Sequence, residues 1–408
     1  HSHVEGTVIC AVGTRIGAVG SRTELGRRLW DVVVVGAGLA GAMVARELGR
    51  RGCAVLLVER QPFPRWKVCG ACLNGAAQEA LIYAGLDGLV ARAGAPRLTE
   101  LRMTGWGRSA SVALQGSVAL SREALDHALV QAAVEEGVVF ADGASVELGP
   151  VGDGERTLTV RSAAGEQRVR ARVVVSAAGL HGLRSPAMAG PAPLTAVQVG
   201  SRLGVGAVLE GAGEGYGPGV VYMVVGPGGY VGLVRQEDRR LNVAAAFDAE
   251  FVKGHGSPEG AVRAHLESAG MPRLPEGIHR GWRGTPPLTR RPSSLGEERL
   301  FLVGDAAGYV EPFTGEGMGW ALWGALALAP FVHAGVERWD EALLQRWDKV
   351  HRRRIRQGQR ICRIVAWGLR RPWMARAAVR VFGAVPVLAR PLVTHTTGSP
   401  RLQTGRPW

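Results

Sequence analysis

Runs of consecutive apolar residues mark the first elements of the chain. Residues 31–35 (DVVVV) end at Gly36, and residues 54–58 (AVLLV) form a second run of the same kind. Short runs without polar alternation are typical of strands buried on both faces of a parallel sheet. Residues 39–51 lie between the two runs and carry apolar side chains at helical spacing. The pattern predicts one βαβ unit over residues 31–59.

Farther along, three stretches predict a helix, a sheet and a return to the first pattern. Residues 120–137 are amphipathic with a helical period, and Ser121 and Gly137 suit its N-cap and its end. Between about residues 138 and 250, short runs such as RTLTVRS and GVVYMVV alternate with glycine. They predict an antiparallel or mixed sheet separate from the βαβ unit. Residues 300–329 again combine a buried strand, a Gly-rich loop and a long apolar helix.

Composition favours two joined globular domains and excludes a disordered chain. The 408 residues are 46% hydrophobic, which is enough for two sizeable cores. The five cysteines are odd in number and scattered, which argues against a disulfide scaffold and favours a cytoplasmic location. Residues 1–30 lack the pattern of a signal peptide, so we expect an N-terminal extension, either ordered or disordered.

The formal charge of +14 is concentrated in the tail, because residues 346–408 contain 15 basic residues and 1 acidic residue. In part of this tail the spacing of apolar residues predicts an amphipathic helix. Its apolar stripe consists of Ala377, Val381, Val385, Leu388 and Leu392. Such a helix either lies on an anionic membrane surface or covers the core with its arginines in solvent. No nucleic-acid recognition motif accompanies the charge, so nucleic acid is not an expected partner.

A Gly-rich motif joins the first predicted strand to the first helix. Gly36, Gly38 and Gly41 form G-x-G-x-x-G, in which the glycines permit a tight turn and a close approach of the backbone to a pyrophosphate. Glu59 ends the second strand, where a carboxylate accepts hydrogen bonds from an adenosine ribose. This order of elements predicts dinucleotide binding and leaves FAD and NAD both open.

A second Gly-rich segment follows a buried strand near residue 300. Asp305 comes directly after Gly304 and can bond a polyol hydroxyl. Gly315 and Gly317 flank the start of a helix whose N-terminus can face the electron-rich edge of a ligand. Residues 317–336 carry no Asp, Glu, Lys or Arg and are long enough to cross a bilayer. Because they begin inside the Gly-rich loop, we expect a helix of the protein core.

Cys69 and Cys72 stand three positions apart in the segment FPRWKVCGACLNG, residues 63–75. This spacing suits half of a zinc site, a redox dithiol or neither. No second pair of ligands stands at a suitable spacing, so a metal site is not expected. A reversible disulfide between the two cysteines stays open.

Taken together, the motifs make the chain resemble FAD-dependent oxidoreductases of the p-hydroxybenzoate hydroxylase fold, most closely the geranylgeranyl reductase branch. The resemblance rests on DVVVVGAGLAGAMVA, FPRWKVCGACLNGAAQEAL, SREALDHAL and VGDAAGYVEPFTGEGMGWAL. It implies an α/β fold: a discontinuous Rossmann-like FAD-binding domain, an inserted β-sheet substrate domain and a helical basic tail. The implied FAD domain comprises residues 31–95, 120–190 and 285–345, the substrate domain 96–119 and 191–284, and the tail 346–408.

The resemblance also implies which residues surround the cofactor. Cys69 would line the pocket between flavin and substrate and is the candidate catalytic residue. The implied FAD-binding residues are Gly36, Ala37, Gly38, Leu39, Ala40, Gly41, Glu59, Arg60, Arg65, Lys67, Gly70, Arg122, Gly304, Asp305, Pro312, Gly315, Gly317 and Met318. Cys72 falls where a helix could begin, and a small buried residue is the alternative.

The implied activity is reduction of a carbon–carbon double bond in an apolar, isoprenoid-like or polyketide-like substrate by hydride from flavin N5. The alternatives are hydroxylation or epoxidation through a flavin hydroperoxide, and a lipid-binding protein that holds FAD without turnover. NAD(P)H or ferredoxin would donate electrons. The chain has Ala178 where related hydroxylases have Asp, and Gly232 where the reductase branch often has Trp. It lacks a Trp-x-Trp-x-Ile segment, which argues against halogenation.

Overall fold

The computed structural model describes residues 25–183, 195–211, 215–311, 313 and 315–384, without the side chains of residues 378 and 382–384. The strands are β1 (Leu29–Val35), β2 (Val55–Val58), β3 (Cys72–Leu73), β4 (Arg97–Gly105), β5 (Arg108–Ala119), β6 (Val139–Ala141), β7 (Ala144–Val151), β8 (Arg156–Ser162), β9 (Gly165–Ser176), β10 (Thr195–Val197), β11 (Leu203–Leu209), β12 (Val220–Gly226), β13 (Gly229–Arg235), β14 (Leu241–Phe247), β15 (Ile278–Pro287), β16 (Arg290–Pro292), β17 (Gly296–Glu297) and β18 (Leu300–Leu302). The helices are α1 (Leu39–Gly49), α2 (Gly75–Tyr83), α3 (Gly88–Arg92), α4 (Arg122–Glu135), α5 (Ala249–Gly254), α6 (Pro258–Ser268), α7 (Gly317–Glu337), α8 (Ala342–His351), α9 (Gln357–Leu369) and α10 (Pro372–Ala384).

The first sheet is built on the predicted βαβ unit. Its main path runs β17, β18, β9, β1, β2 and β6, and all neighbours except β17 and β18 are parallel. Val32, Val33 and Val34 are fully buried, as expected for a strand covered on both faces. Because its strands come from three separate stretches of the chain, this unit is discontinuous. The predicted α/β class is confirmed.

The strands between residues 144 and 176 belong to this first sheet, so the expectation that they form a separate sheet is wrong. β7, β8 and β9 form an antiparallel meander, while β9 also pairs in parallel with β1 and β18. The two halves of the long β9 therefore differ. The first half begins at a glycine and alternates exposed and buried residues, as is typical of a hairpin strand, whereas its apolar end (VVVS) is buried in the parallel sheet.

The second sheet has the order β15, β11, β14, β13, β12, β4, β5 and β3. One face packs against α6, where Ala261, Val262 and Leu266 meet residues such as Val231 and Phe247. Successive side chains of a strand point to opposite faces of the sheet, so the residues between those that meet α6 point to the face away from α6. This opposite face forms a wall of the cavity described below. A separate two-stranded ladder joins β10 to β16.

Helix α7 lies in the protein core. Among the described residues it is the one helix long and apolar enough to cross a membrane, yet 67% of its most apolar window is buried inside the protein. It packs against α1 and α2, and the indole of Trp323 donates a hydrogen bond to the carbonyl of Ala76, 2.9 Å away. Because α7 is covered by these neighbours, it can carry apolar residues on all of its sides without facing lipid.

The C-terminal region is helical, as predicted. A π-helical turn, Arg352–Arg356, joins α8 to α9, and α10 packs on the β4–β5 hairpin. Of the α10 side chains that the structure describes, those of Ala375 and Val379 are buried. Of the predicted apolar stripe, Ala377 and Val381 are exposed, and Val385, Leu388 and Leu392 lie outside the described residues. Of the two alternatives for this stripe, covering the core does not hold for its described part.

Candidate functional site

The loop between β1 and α1 has the close backbone packing that the Gly-rich motif predicts. Gly36 has φ of +101°, and a Cβ on it would lie 2.4 Å from the carbonyl oxygen of Ala177. A Cβ on Gly41 would lie 1.8 Å from the oxygen of Gly36. Any side chain at either position would displace the backbone. Glu59 accepts a hydrogen bond from the amide of Ala37, 3.0 Å away, which ties the end of β2 to this loop.

Two arginines and two carboxylates form a connected network beside the loop. Arg122 contacts the fully buried Asp126 through two hydrogen bonds of 2.9 Å. Arg65 bridges Asp126 at 3.0 Å and Glu59 at 3.1 Å. A Cβ on Gly38 would lie 3.3 Å from Arg122 Nη2 and 3.5 Å from Arg65 Nη2. The guanidinium groups therefore lie at the face of the Gly-rich turn, where a phosphate would approach.

The second Gly-rich segment faces the first across the site. Gly304 has φ of +63°, and its Cβ position is 2.8 Å from Ala40 Cβ, so the two loops touch. Asp305 accepts a hydrogen bond from Lys67 Nζ at 3.0 Å. This pair brings two predicted cofactor residues from distant parts of the chain together.

Helix α7 begins at the same place. Glu316 is its N-cap residue and accepts a hydrogen bond from the thiol of Cys362, with 3.3 Å between sulfur and oxygen. Burial raises the pKa of Glu316 to about 7. A carboxyl group that gains and loses its proton near neutrality therefore stands next to Gly315 and Gly317, which line the site.

These elements enclose a cavity of about 260 Å³ between the Gly-rich loops and the second sheet. The predicted site residues that line it are Gly38, Leu39, Ala40, Lys67, Cys69, Gly70, Arg122, Gly304, Asp305, Gly315, Gly317 and Met318. Behind this lining lie Gly36 and Gly41, which shape the turn, and the pair of Glu59 and Arg65, which reaches Asp126, the partner of Arg122. Arg60 is exposed and does not line the cavity. Pro312 lies outside the described residues.

The wall opposite the loops is apolar and comes from the second sheet. Its side chains occupy alternate positions of neighbouring strands, and the set includes Leu101, Met103, Val112, Leu114, Val221 and Met223. Gly232 of β13 pairs with Met223 of β12 and with Ala244 of β14, so small residues widen the cavity at this point. Sequence reasoning singled out Gly232 but missed the larger apolar residues of this wall, although their two-residue period was a usable signal.

The cysteines of the C-x-x-C segment differ in their surroundings. Both cysteines line the cavity, and the carbonyl of Cys69 accepts a hydrogen bond of 2.8 Å from the amide of Asn242, which anchors it to β14. Cys72 lies in the short strand β3, opposite Ala119, and the helix expected near it, α2, begins three residues later at Gly75. Both thiols are free. Burial raises the pKa of the Cys72 thiol to about 12.

Comparison with known proteins identifies the family. The family model described as FAD binding domain matches residues 30–361. The chain belongs to this FAD-binding family. FAD is its cofactor, and the prediction of an FAD-dependent oxidoreductase is confirmed at this level.

Two curated relatives fit the predicted branch. The chain is 29% identical over 309 residues to digeranylgeranylglycerophospholipid reductase 1 of Methanopyrus kandleri, covering 72% of this chain and 77% of that protein. It is 27% identical over 400 residues to menaquinone reductase of Mycolicibacterium smegmatis, covering 89% of each. Each of these relatives is named as a reductase, which supports the predicted resemblance.

Solved structures share the fold. A flavoprotein/dehydrogenase from Cytophaga hutchinsonii superimposes with a TM-score of 0.74 at 19% identity, over 90% of this chain and 92% of that one. The myxobacterial chondrochloren halogenase gives a TM-score of 0.72 at 20% identity, over 92% and 94%. At such low identity these likenesses establish the fold and leave the choice of reaction to the residues of the site.

The site fits FAD on its own geometry. Gly38 leaves room for a phosphate where a Cβ would otherwise stand, with Arg122 and Arg65 beside it. Asp305 and Lys67 lie farther along the cavity, and the N-terminus of α7 closes its end. Among the described residues no group of three or more His, Cys, Asp or Glu is placed to hold a metal ion.

Proposed function

We propose that this protein reduces a carbon–carbon double bond in an apolar, isoprenoid-like substrate. The observation that carries the proposal is the apolar wall of the second sheet, which faces Cys69 and the Gly-rich loops across one cavity. Apolar side chains would bind a hydrocarbon by removing it from water, at roughly 25 cal/mol per Å² of apolar surface. The names of the two curated relatives support a reductase.

Different residues of the site would bind the cofactor and orient the substrate. FAD supplies the reducing equivalents when it is bound. Arg122 and the Gly-rich turn would hold its phosphates, with Arg65 beside them, and Asp305 would hold its polyol. The wall of the second sheet would exclude water and orient the double bond towards the flavin. Cys69 lines the same cavity, where it would lie near both flavin and substrate.

The experiment is an anaerobic incubation of the protein with its flavin reduced and a candidate polyprenyl lipid present. Mass analysis of a product that has gained two hydrogen atoms supports the reductase. A product that gains one oxygen atom, formed after air is admitted, supports a monooxygenase instead. A flavin that no donor can reduce would favour a lipid-binding protein without turnover. Comparing NADPH, NADH and reduced ferredoxin in the same assay identifies the electron donor.

We also propose that the protein works at the cytoplasmic surface of a membrane, where such a substrate would reside. The supporting observation is a set of exposed apolar side chains on α9 and α10, namely Ile364, Trp367, Trp373 and Val381. Arginines interleave with them along both helices, as in helices that lie at an anionic lipid surface. Sedimentation with anionic vesicles tests this, and unchanged sedimentation of the W367S/W373S variant would contradict it.

A further inference from the structure

A second cavity lies outside the flavin and substrate site. Its volume is about 660 Å³, and it is bounded by β16, the loop that follows Asp305, the turn after β10, and α9. Seven arginines line it: Arg290, Arg291, Arg352, Arg356, Arg360, Arg363 and Arg370. No Asp or Glu is among its described lining residues. We call this cavity the arginine cleft.

Four of these arginines have no carboxylate close enough to form an ion pair in the part of the chain that the structure describes. Arg352 and Arg356 reach Asp348, and Arg370 reaches the fully buried Glu311 at 3.2 Å. No carboxylate of the described residues lies within 4.0 Å of the other four, Arg290, Arg291, Arg360 and Arg363.

The arginines also perturb one another. Partial burial, together with the charges of Arg291, Arg360 and Arg356, lowers the pKa of Arg363. Partial burial likewise lowers the pKa of Arg356. The charges of Arg291 and Arg352 lower this pKa further, and the carboxylate of Asp348 raises it in part. Like charges that are free to move apart in water would do so. Here the fold holds them on one concave surface, and an anion between them would relieve the repulsion.

The chemistry of the cleft selects the kind of anion. A guanidinium group presents paired N–H donors that match the oxygens of a phosphate. Ser201, Thr289, Gln198 and Gln359 add neutral polar groups to the lining, and the indole of Trp367 stands at its edge. We propose that the arginine cleft binds a phosphate or diphosphate group. The group would belong to a nucleotide or to a lipid headgroup, and the indole could contact either a base or an acyl chain.

The test is calorimetric titration of the FAD-loaded, full-length protein with sodium pyrophosphate, with ionic strength held constant by sodium chloride. FAD loading keeps the probe out of the cofactor's own phosphate site. We expect the R360Q/R363Q variant to bind at least about tenfold more weakly than the unmodified protein, because it removes two charged hydrogen-bond donors from the cleft. The matched control is R346Q/R353Q, which removes two exposed charges that lie outside the cleft lining, and its affinity should stay within about twofold.

The proposal is overturned if the unmodified protein shows no binding of pyrophosphate beyond that of chloride. Equal losses in the two double variants would also overturn it, because they would indicate attraction by overall charge alone. Competition by NADPH identifies a nucleotide as the source, and competition by phosphatidylglycerol vesicles identifies a headgroup. Pyrophosphate binding that neither displaces supports the site with a free phosphate compound as its ligand. Flavin absorbance and substrate reduction, measured separately, report on the proposed function and do not enter this test.

Discussion

Arg122 and Asp126 form a two-point ion pair, with Nε 2.9 Å from Oδ1 and Nη2 2.9 Å from Oδ2. Asp126 is fully buried and also accepts a hydrogen bond from Arg65. One carboxylate therefore fixes both arginines at the Gly-rich turn. The planar match between guanidinium and carboxylate gives orientation as well as attraction, so the arginines are positioned before a phosphate arrives.

Replacing Asp126 with Asn should weaken FAD binding and lower stability together. The change keeps the shape but leaves two guanidinium groups near each other without their buried counter-charge. Removal of one partner from a buried ion pair costs about 3–5 kcal/mol. We expect a fall in melting temperature and at least about tenfold weaker FAD binding, measured by flavin fluorescence on titration of the apoprotein.

E123Q is the matched control for this prediction. Glu123 stands on the same helix and pairs with Arg280 at 2.7 Å, but Arg280 is partly exposed. Exposed pairs contribute only about 0–1 kcal/mol, so the control should retain nearly all FAD affinity. Equal effects of the two variants would show that Asp126 acts through helix α4 in general and has no special role at the turn.

The contacts of Asp126 show which features of the site can be predicted from the sequence and which cannot. Arg122 and Asp126 are four positions apart on a helix that was predicted, so their contact follows from helical spacing. The contacts of Arg65 with Glu59 and Asp126 join three separate stretches of chain. No local pattern specifies them. The Gly-rich motifs were predictable because their backbone geometry depends on residues adjacent in sequence.

In the fold as well, local elements were predictable from the sequence, whereas strand pairing was not. β1, α1 and β2 follow from local apolar patterns and were predicted to within a few residues. β9 pairs with strands on both sides, and the sheet that a strand joins depends on distant partners. The two-residue β3 contains Cys72 and exists because Ala119 lies opposite. A segment that short carries no periodic signal of its own.

Glu316 should make stability depend on pH in a defined direction. Burial raises its pKa from 4.5 to about 7. Between these values the folded state holds a proton that the unfolded state has released, so the free energy of unfolding falls as pH rises through this range. The shift corresponds to roughly 3 kcal/mol at pH values above 7. E316Q should therefore raise the melting temperature at about pH 8 relative to the unmodified protein, and by much less at about pH 4.5.

The control is E250Q, at an exposed position on α5. Its difference from the unmodified protein should be small and the same at both pH values, since an exposed side chain has similar surroundings in the folded and unfolded states. If the E316Q difference is also independent of pH, Glu316 does not hold its proton near neutrality.

The two cysteines should separate in function. C69S should lower the rate of substrate reduction at least about tenfold while FAD stays bound, because Cys69 lines the cavity. Cys72 also lines the cavity, but its thiol donates a hydrogen bond to the carbonyl of Gly70, 3.3 Å away, so C72S, which keeps a donor at that place, should change the rate much less. The thiol of Cys72, with its pKa raised to about 12 by burial, should resist iodoacetamide at about pH 8, since the thiolate is the reactive form. Peptide mass analysis after alkylation measures this, and rapid labelling of Cys72 would contradict the raised pKa of its thiol.

Gly232 should determine how bulky a substrate the cavity accepts. A Cβ at this position would lie 3.6 Å from the oxygen of Ala244 and 3.6 Å from Met223 Cε. These are ordinary contacts, so a larger side chain can enter the cavity without displacing the backbone. G232W should fill the widened part of the cavity and lower kcat/KM for a long polyprenyl substrate at least about tenfold. A short-chain analogue should be affected less, and flavin absorbance should be unchanged.

G281W is the control for cavity filling. Gly281 lies on the edge strand β15, is exposed, and has no atom within 4 Å of its Cβ position. Both variants add the same indole to the same sheet, but only one of them adds it to the cavity. A loss of activity confined to G232W, and larger for the longer substrate, places the hydrocarbon against β13. Equal loss for long and short substrates would mean that the added indole disturbs the flavin instead, and Gly232 would then have no role in substrate size.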